Sequence, residues 1–302
     1  MQILNPIANN LFQPLALTLS ALLFTGFAAV VAARVFVKDP DLKRQLLLRW
    51  LSWALIAAVT LFSVLSGTLL FAILVSLISF ACSFEYCRIT ARKNDEKLLI
   101  LSASLLLPQL SAHCQVLLAP LALFFAFLIA LLSLKRAESF ESTAVSLLAL
   151  PYIAVFVSYA VLLHKNFAQG PALVLSVVSA SALANIAAFV FGKILGGAKL
   201  ALRVSPNKTW WGVLGAFLGA FCGFRLLSIS ADLHLPLLLW WMMPLAVAIA
   251  GVVGDLFESL LKRSFQVKDA GSWLPGFGGA LDRVDGLLFV IPTVYYLVLA
   301  FF

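Results

Sequence analysis

Ten apolar runs separated by short polar turns fill almost the whole of this chain of 302 residues. They cover 15–36, 50–66, 68–84, 98–113, 116–134, 143–163, 171–192, 212–229, 236–254 and 286–302. Charged residues make up 11% of the chain, against about 25% in soluble domains. A chain of this kind is driven into a bilayer. The expected fold is all-α: a polytopic integral membrane protein with about ten transmembrane helices, to within one or two. Several runs fall short of the ~20 residues that a spanning helix usually takes. Residues 50–84 and 98–134 are therefore read as tight hairpins, turning at Ser66-Gly67 and around Ser111 to Gln115. Residues 1–14 are a short polar lead-in, and nothing remains to build a separate soluble domain.

The formal charge is +8, from 21 Lys and Arg against 13 Asp and Glu. Its distribution argues against a nucleic-acid partner. Nineteen of those 21 cations fall near or after the odd-numbered runs, and only Lys165 and Arg225 fall on the other side. The positive-inside rule makes the odd turns cytoplasmic and both termini external, which places the polar site at the cytosolic face of the membrane. Asp39-Pro40 reads as an N-cap and first helical position. The charges from Glu85 to Lys97 read as ordinary topology-setting residues. Cys82, Cys87, Cys114 and Cys222 lack C-x-x-C spacing and read as packed thiols rather than a disulfide or zinc framework. His113 and His164 stand at span ends and read as interfacial caps, and His234 is given no catalytic role. The first apolar run is too long for a typical signal-peptide core and has no basic segment before it, so no cleavable leader is expected.

One stretch breaks the apolar pattern. Residues 254–285 read GDLFESLLKRSFQVKDAGSWLPGFGGALDRVD and carry five of the 13 carboxylates. Mixed charges this dense beside apolar spans mark a functional site by default. On a helix leaving the ninth run, Asp255, Glu258, Ser259 and Lys262 share one face. A Gly/Pro-rich turn follows, able to point backbone N–H groups at an anion. Asp282 and Asp285 are spaced three apart, so a helix there aims both the same way. Carboxylates, lysines and a glycine turn together suit a Mg²⁺-bound polyphosphate.

A second polar stretch, residues 185–212, reads NIAAFVFGKILGGAKLALRVSPNKTWWG. Gly192, Gly196 and Gly197 interrupt the seventh helix in a basic loop. Ser205 reads as the N-cap of the next helix, with Pro206 at its first position. Asn185 sits inside the seventh run toward its cytosolic end.

These residues resemble the CDP-diacylglycerol synthases, or phosphatidate cytidylyltransferases. The family pattern S-x-x-K-R-x-x-x-x-K-D-x-[GSA], then P-G-H-G-G and D-R-x-D, is matched at Ser259, Lys262, Arg263, Lys268, Asp269, Gly271, Pro275, Gly276, Gly278, Gly279, Asp282, Arg283 and Asp285. A second motif, S-P-x-K-T-W-E-G, is matched at Ser205, Pro206, Lys208, Thr209, Trp210 and Gly212. The resemblance is specific over about 184–302. It implies attack by the phosphate of phosphatidic acid on the α-phosphorus of CTP, giving CDP-diacylglycerol and pyrophosphate. It implies Asp255, Asp282 and Asp285 as ligands of Mg²⁺, with a second cation left open. Lys262, Arg263, Lys268 and Arg283 would neutralise phosphates, helped by Ser205, Lys208 and Thr209. Glu258 or Asp269 would fix a lysine. The helices of 1–170 are expected to be structural and lipid-facing, those of 171–302 to carry the catalytic loops 185–212 and 254–285, all within one membrane domain. Partners are CTP, phosphatidic acid and membrane lipid, with a homodimer left open.

Three positions depart from the pattern: Asn185 stands for Asp, Trp211 for Glu and Phe277 for His. They keep two alternatives open, an impaired paralogue that binds lipid or a partner, and a lipid or solute transporter. A transporter would place ionisable groups at the bilayer midplane, whereas here they gather at one face.

Overall fold

The structure of the chain is a computed structural model, which describes residues 5–36, 40–271 and 278–301. Ten α-helices run through these residues. They are α1 Phe12–Phe36, α2 Pro40–Leu65, α3 Thr68–Ile89, α4 Asn94–His113, α5 Leu118–Lys135, α6 Phe140–Asn166, α7 Gly170–Leu195, α8 Trp210–Ser230, α9 Leu237–Ser264 and α10 Leu281–Leu299. Without water to bond the backbone, each apolar run satisfies its own N–H and C=O groups by coiling. Eight of the helices are long and apolar enough to cross a membrane. The other two carry charge near their starts, Asp95, Glu96 and Lys97 in the first turn of α4, and Asp282 and Arg283 in the first turn of α10 with Asp285 just after.

The helices are longer than the apolar runs because polar residues at the membrane ends continue the coil. α9 extends past residue 254 to Ser264, and α10 begins at Leu281 rather than 286. The hairpin at Ser66-Gly67 forms as expected, with Gly67 at a φ of 105° that side chains disfavour. Pro40 opens α2, while Asp39 lies outside the described residues. Within α6, residues Leu150–Val155 form a π turn around Pro151, which lacks an N–H to donate.

Contacts sort the helix ends into two faces. At one, Lys93 pairs with Glu138 at 2.6 Å, Arg136 with Asp95, and Arg92 donates to the Ser142 carbonyl at 2.8 Å, so the α3–α4 and α5–α6 turns meet. At the other, Thr18 of α1 meets Ser230 of α8 at 2.6 Å, and Gln169 donates to the Asp232 carbonyl at 3.0 Å. His164 also lies at that face, but buried. Its Nε2 stands 2.8 Å from the Val64 carbonyl and its Nδ1 3.2 Å from the Thr68 hydroxyl. It ties α6 to the α2–α3 turn inside the protein, which replaces the interfacial role expected from its position at a span end.

Serines and glycines hold the bundle together where hydrocarbon surface supplies no drive. Ser83 and Ser104 share a hydrogen bond of 2.6 Å between α3 and α4. On α8, a Cβ added at Gly215, Gly219 or Gly223 would stand 2.6, 2.3 or 2.6 Å from the α7 carbonyls of Ala187, Leu183 and Ser179. The two backbones therefore touch along that stripe.

Between α7 and α8 lies the departure from an all-helical chain. β1, Lys199–Ala201, pairs antiparallel with β2, Ser205–Thr209. The chain turns at Gly196 and Gly197, with φ of 61° and 86°, while Gly192 stays inside α7. Ser205 therefore opens a strand, and the expected cap at Ser205-Pro206 does not form. Thr209 caps α8 instead, its hydroxyl accepting from the Gly212 N–H at 3.1 Å. Pairing with β1 takes up backbone groups that a helix start would have left open.

Candidate active site at one membrane face

The crossing of α9 and α10 builds the site. A Cβ on Gly254 would stand 2.6 Å from the Asp285 carbonyl, and one on Gly286 3.2 Å from the Gly251 carbonyl. Asp255 follows the first of these glycines and Asp285 precedes the last, so the close approach also brings the carboxylates together. Oxygens of Asp255, Glu258 and Asp285 all lie within 4.8 Å of one another. Glu258 is 1% exposed and Asp285 8%, and among the described residues Glu258 Oε1 has no hydrogen-bond partner. A buried carboxylate oxygen left unpaired is expensive, and three hard oxygens at this spacing fit a small divalent cation. The third member of the group is Glu258, where the resemblance implied Asp282.

Asp282 does other work. Its Oδ1 accepts from Lys262 Nζ at 2.7 Å, and its Oδ2 from the N–H groups of Ala270 and Gly279 at 3.0 and 2.8 Å. It thus ties the two flanks of the glycine turn to α10. Lys262 is shared, with its ammonium also 2.7 Å from Glu258 Oε2. From the α7–α8 hairpin, Lys208 reaches Asp255 Oδ2 at 2.7 Å.

These groups face a cavity of about 650 Å³ between α7, α8, α9 and α10. Asn185, Lys193 and Lys199 line its wall toward α7 and β1, and Lys208 and Thr209 its β2 wall. Asp269 and Arg283 line it beside the four carboxylates and Lys262. Arg263 and Lys268 are exposed and stand outside the lining, as do Ser205, Ser259, Gly278 and Gly279. Of the three departures from the family pattern, Asn185 lines the cavity and Trp211 does not. The Trp211 ring packs on the hairpin turn, where a Cβ at Gly197 would stand 2.8 Å from it. Phe277 lies outside the described residues, with Ser272, Trp273, Pro275 and Gly276.

Three site residues went unassigned from sequence. Lys193 and Lys199 looked like two more cations in a basic loop. Glu85 was grouped with the charges of a turn, yet it belongs to α3, is 0% exposed and accepts from the N–H groups of Ala280 and Leu281 at 3.0 and 2.8 Å. The sequence hinted only that a carboxylate directly follows an apolar run, in SFACSFEYCRI, and nothing in it named a partner.

The family model described as the cytidylyltransferase family matches residues 47–301. The chain belongs to that family. It is 32% identical over 273 residues to the phosphatidate cytidylyltransferase of Bacillus subtilis, covering 86% of this chain and 99% of that relative. The phosphatidate cytidylyltransferase of Staphylococcus epidermidis is 33% identical over 165 residues, 55% of this chain. That of Thermotoga maritima is 37% identical over 163 residues, 52% of this chain. The matched segments span 62% and 60% of those two relatives, less than two thirds of their length. For a cytidylyltransferase-family member the cavity has a sensible chemistry. The carboxylates of α9 and α10 and the ammonium groups of Lys193, Lys199 and Lys208 line one and the same cavity.

Proposed function

We propose that the chain is a phosphatidate cytidylyltransferase, joining CTP and phosphatidic acid into CDP-diacylglycerol and pyrophosphate. The observation that carries this reading is the carboxylate group Asp255–Glu258–Asp285 sharing one cavity with Lys193, Lys199, Lys208 and Lys262. It is supported by the similarity to phosphatidate cytidylyltransferases over nearly the full length of one of them. The reaction forms a P–O bond from the lipid phosphate to the α-phosphorus of CTP and breaks the α–β phosphoanhydride. The lipid phosphate is the nucleophile, so no covalent enzyme intermediate is called for. The chain's task is to bring two anions together and hold them in line.

Asp255, Glu258 and Asp285 would hold Mg²⁺, which when bound offsets charge on the triphosphate. Lys208 is held by Asp255 and stands on the hairpin, from which its ammonium can turn to a phosphate oxygen. Lys193 and Lys199 add positive charge from the α7 and β1 wall, and Arg283 adds it from beside the carboxylates. Lys262 is engaged by Glu258 and Asp282, so its first task is to keep those carboxylates placed. Arg263 and Lys268, exposed beside the cavity, would meet lipid headgroups or incoming nucleotide. The basic bias of this face supports a cytoplasmic orientation in a bacterial inner membrane. There CTP arrives from water and phosphatidic acid from the bilayer, and the enzyme would work as a monomer or a homodimer.

The test is transfer of label from CTP to lipid by the purified protein with phosphatidic acid and Mg²⁺. Label appearing in a CDP-lipid with release of pyrophosphate is expected. No transfer by folded protein at any Mg²⁺ concentration would refute the assignment.

A further inference from the structure

We propose that Glu85, on the third helix and far from both motifs in sequence, is a positioning residue of this site. Its carboxylate caps α10 from outside the helix and so sets where Asp285 stands relative to Asp255 and Glu258.

Four observations converge on it. First, α10 has no cap of its own, because Ala280 occupies the cap position and offers no side-chain oxygen. The first N–H groups of a helix have no partner within it, and Glu85 takes those of Ala280 and Leu281 at 3.0 and 2.8 Å. Second, a helix N-terminus carries partial positive charge, which a carboxylate satisfies better than a neutral group. Third, Glu85 is wedged between the two flanks of the glycine turn. A Cβ on Gly271 would stand 2.2 Å from its Oε1, and one on Gly279 2.5 Å from its Oε2. At Gly271 this carboxylate alone fills the space a side chain would take, and at Gly279 it shares that space with the Gly271 backbone nitrogen, 2.7 Å away. Fourth, α10 carries Asp282 in its first turn and Asp285 one turn later, so any slip of its first residues moves the carboxylate group. Asp282 bonds both flanks from the cavity side, through Ala270 and Gly279, and Glu85 bonds the α10 flank from the bundle side while packing against Gly271.

The consequence is specific. A loosened α10 does not remove a ligand; it spoils the spacing of three. Groups that orient metal ligands typically change affinity by ~10–100-fold when removed, and a misplacement of about 1 Å costs ~10²-fold in rate.

The variants are Glu85→Ala, Glu85→Gln and Gly271→Ala, with the double variant Glu85→Ala/Gly271→Ala, each purified as the full chain. Three quantities are measured: the kcat and KM for CTP, the Mg²⁺ concentration giving half-maximal rate, and the melting-temperature shift produced by Mn²⁺ or Mg²⁺ alone. Glu85→Ala is expected to fold, to lose kcat by ~10²-fold, and to need ~10-fold more Mg²⁺. It should also lose most of the cation-induced melting shift. Glu85→Gln keeps one acceptor and should fall between. Gly271→Ala is expected to be damaging alone and to add little in the Glu85→Ala background, where the space is free.

A folded Glu85→Ala with parental Mg²⁺ requirement and melting shift would overturn the proposal, as would fully additive losses in the double variant. If Glu85→Ala does not fold, Glu85→Gln decides it, and a parental Mg²⁺ requirement with a parental melting shift in that variant would overturn the proposal. The kinetic arms rest on the cytidylyltransferase reading, whereas the melting shift does not. A parent protein without CTP transfer would refute that reading and leave the melting arm to decide the role of Glu85.

Discussion

Asp285 is buried at the meeting of two helices, with Asp255 and Glu258 as close neighbours. Asp285→Asn keeps its volume and removes one charge from that group. CTP transfer should fall on the order of 10³-fold, the several kcal/mol that a lost cation-stabilised contact represents, with the protein still present in the membrane. Glu258→Gln should fall as far, and a parental rate in either variant would refute the carboxylate assignment. Asp282→Asn tests a different role. It weakens the tie from Lys262 and the hold on the glycine turn, so the melting temperature should drop together with activity. If Asp282→Asn changed only the Mg²⁺ requirement and left melting untouched, Asp282 would be a ligand rather than a tie. Asp269 is exposed at the cavity rim, and Asp269→Asn should be the mildest of the four. At this scale the sequence was legible wherever spacing along one helix decided the outcome, as for Asp255, Glu258 and Lys262. It was not legible for Glu85, because nothing in the order of residues says that α3 packs on the start of α10.

Two helix pairs do the positioning, and each depends on missing side chains. The α7–α8 stripe of Gly215, Gly219 and Gly223 brings Asn185 and Lys193 to one side of the cavity and Lys208 to another. Gly219→Ala would drive a methyl to 2.3 Å from the Leu183 carbonyl, so the helices must separate. Such overpacking costs about 1–3 kcal/mol, and a lower melting temperature or a lower yield of folded protein should report it. An unchanged melt would mean the two backbones do not touch there. Gly254→Ala makes the same intrusion at the α9–α10 crossing, 2.6 Å from the Asp285 carbonyl. There the expected result is a larger loss of activity than of stability, because the displaced element is the one that carries a carboxylate.

For the whole molecule, the distribution of charge and the sorting of helix ends agree on two faces. That agreement predicts the outcome of labelling in a background lacking Cys82, Cys87, Cys114 and Cys222. A cysteine at Asn207, exposed on the α7–α8 hairpin, should react with an impermeant reagent only from the cytosolic side. A cysteine at Ala168, exposed in the α6–α7 turn, should react only from outside. The reverse pattern would put the cavity away from CTP and refute the proposed function. The same view explains the reach of the first half of the chain. Its helices are expected to be scaffold, yet α3 extends a carboxylate into the foundation of a site whose motifs all lie after residue 184.

The sequence by itself determined the helical class, the helix count to within one or two, the alternation of basic turns and the two polar stretches. These follow from local quantities: how apolar a run is, where the cations fall, and which residues recur at helical spacing. Tertiary structure alone decided which carboxylate completes the group with Asp255 and Asp285. It also decided that Asp282 and Lys262 serve as ties, that a strand precedes α8, and that Glu85 caps a helix from nearly two hundred residues away. The physical reason is that each of these is a choice of partner. Asp282 and Glu258 sit close together with equivalent chemistry, and only the folded chain shows Glu258 within 4.8 Å of Asp255 and Asp285 while Asp282 turns to Lys262 and the flanks of the glycine turn.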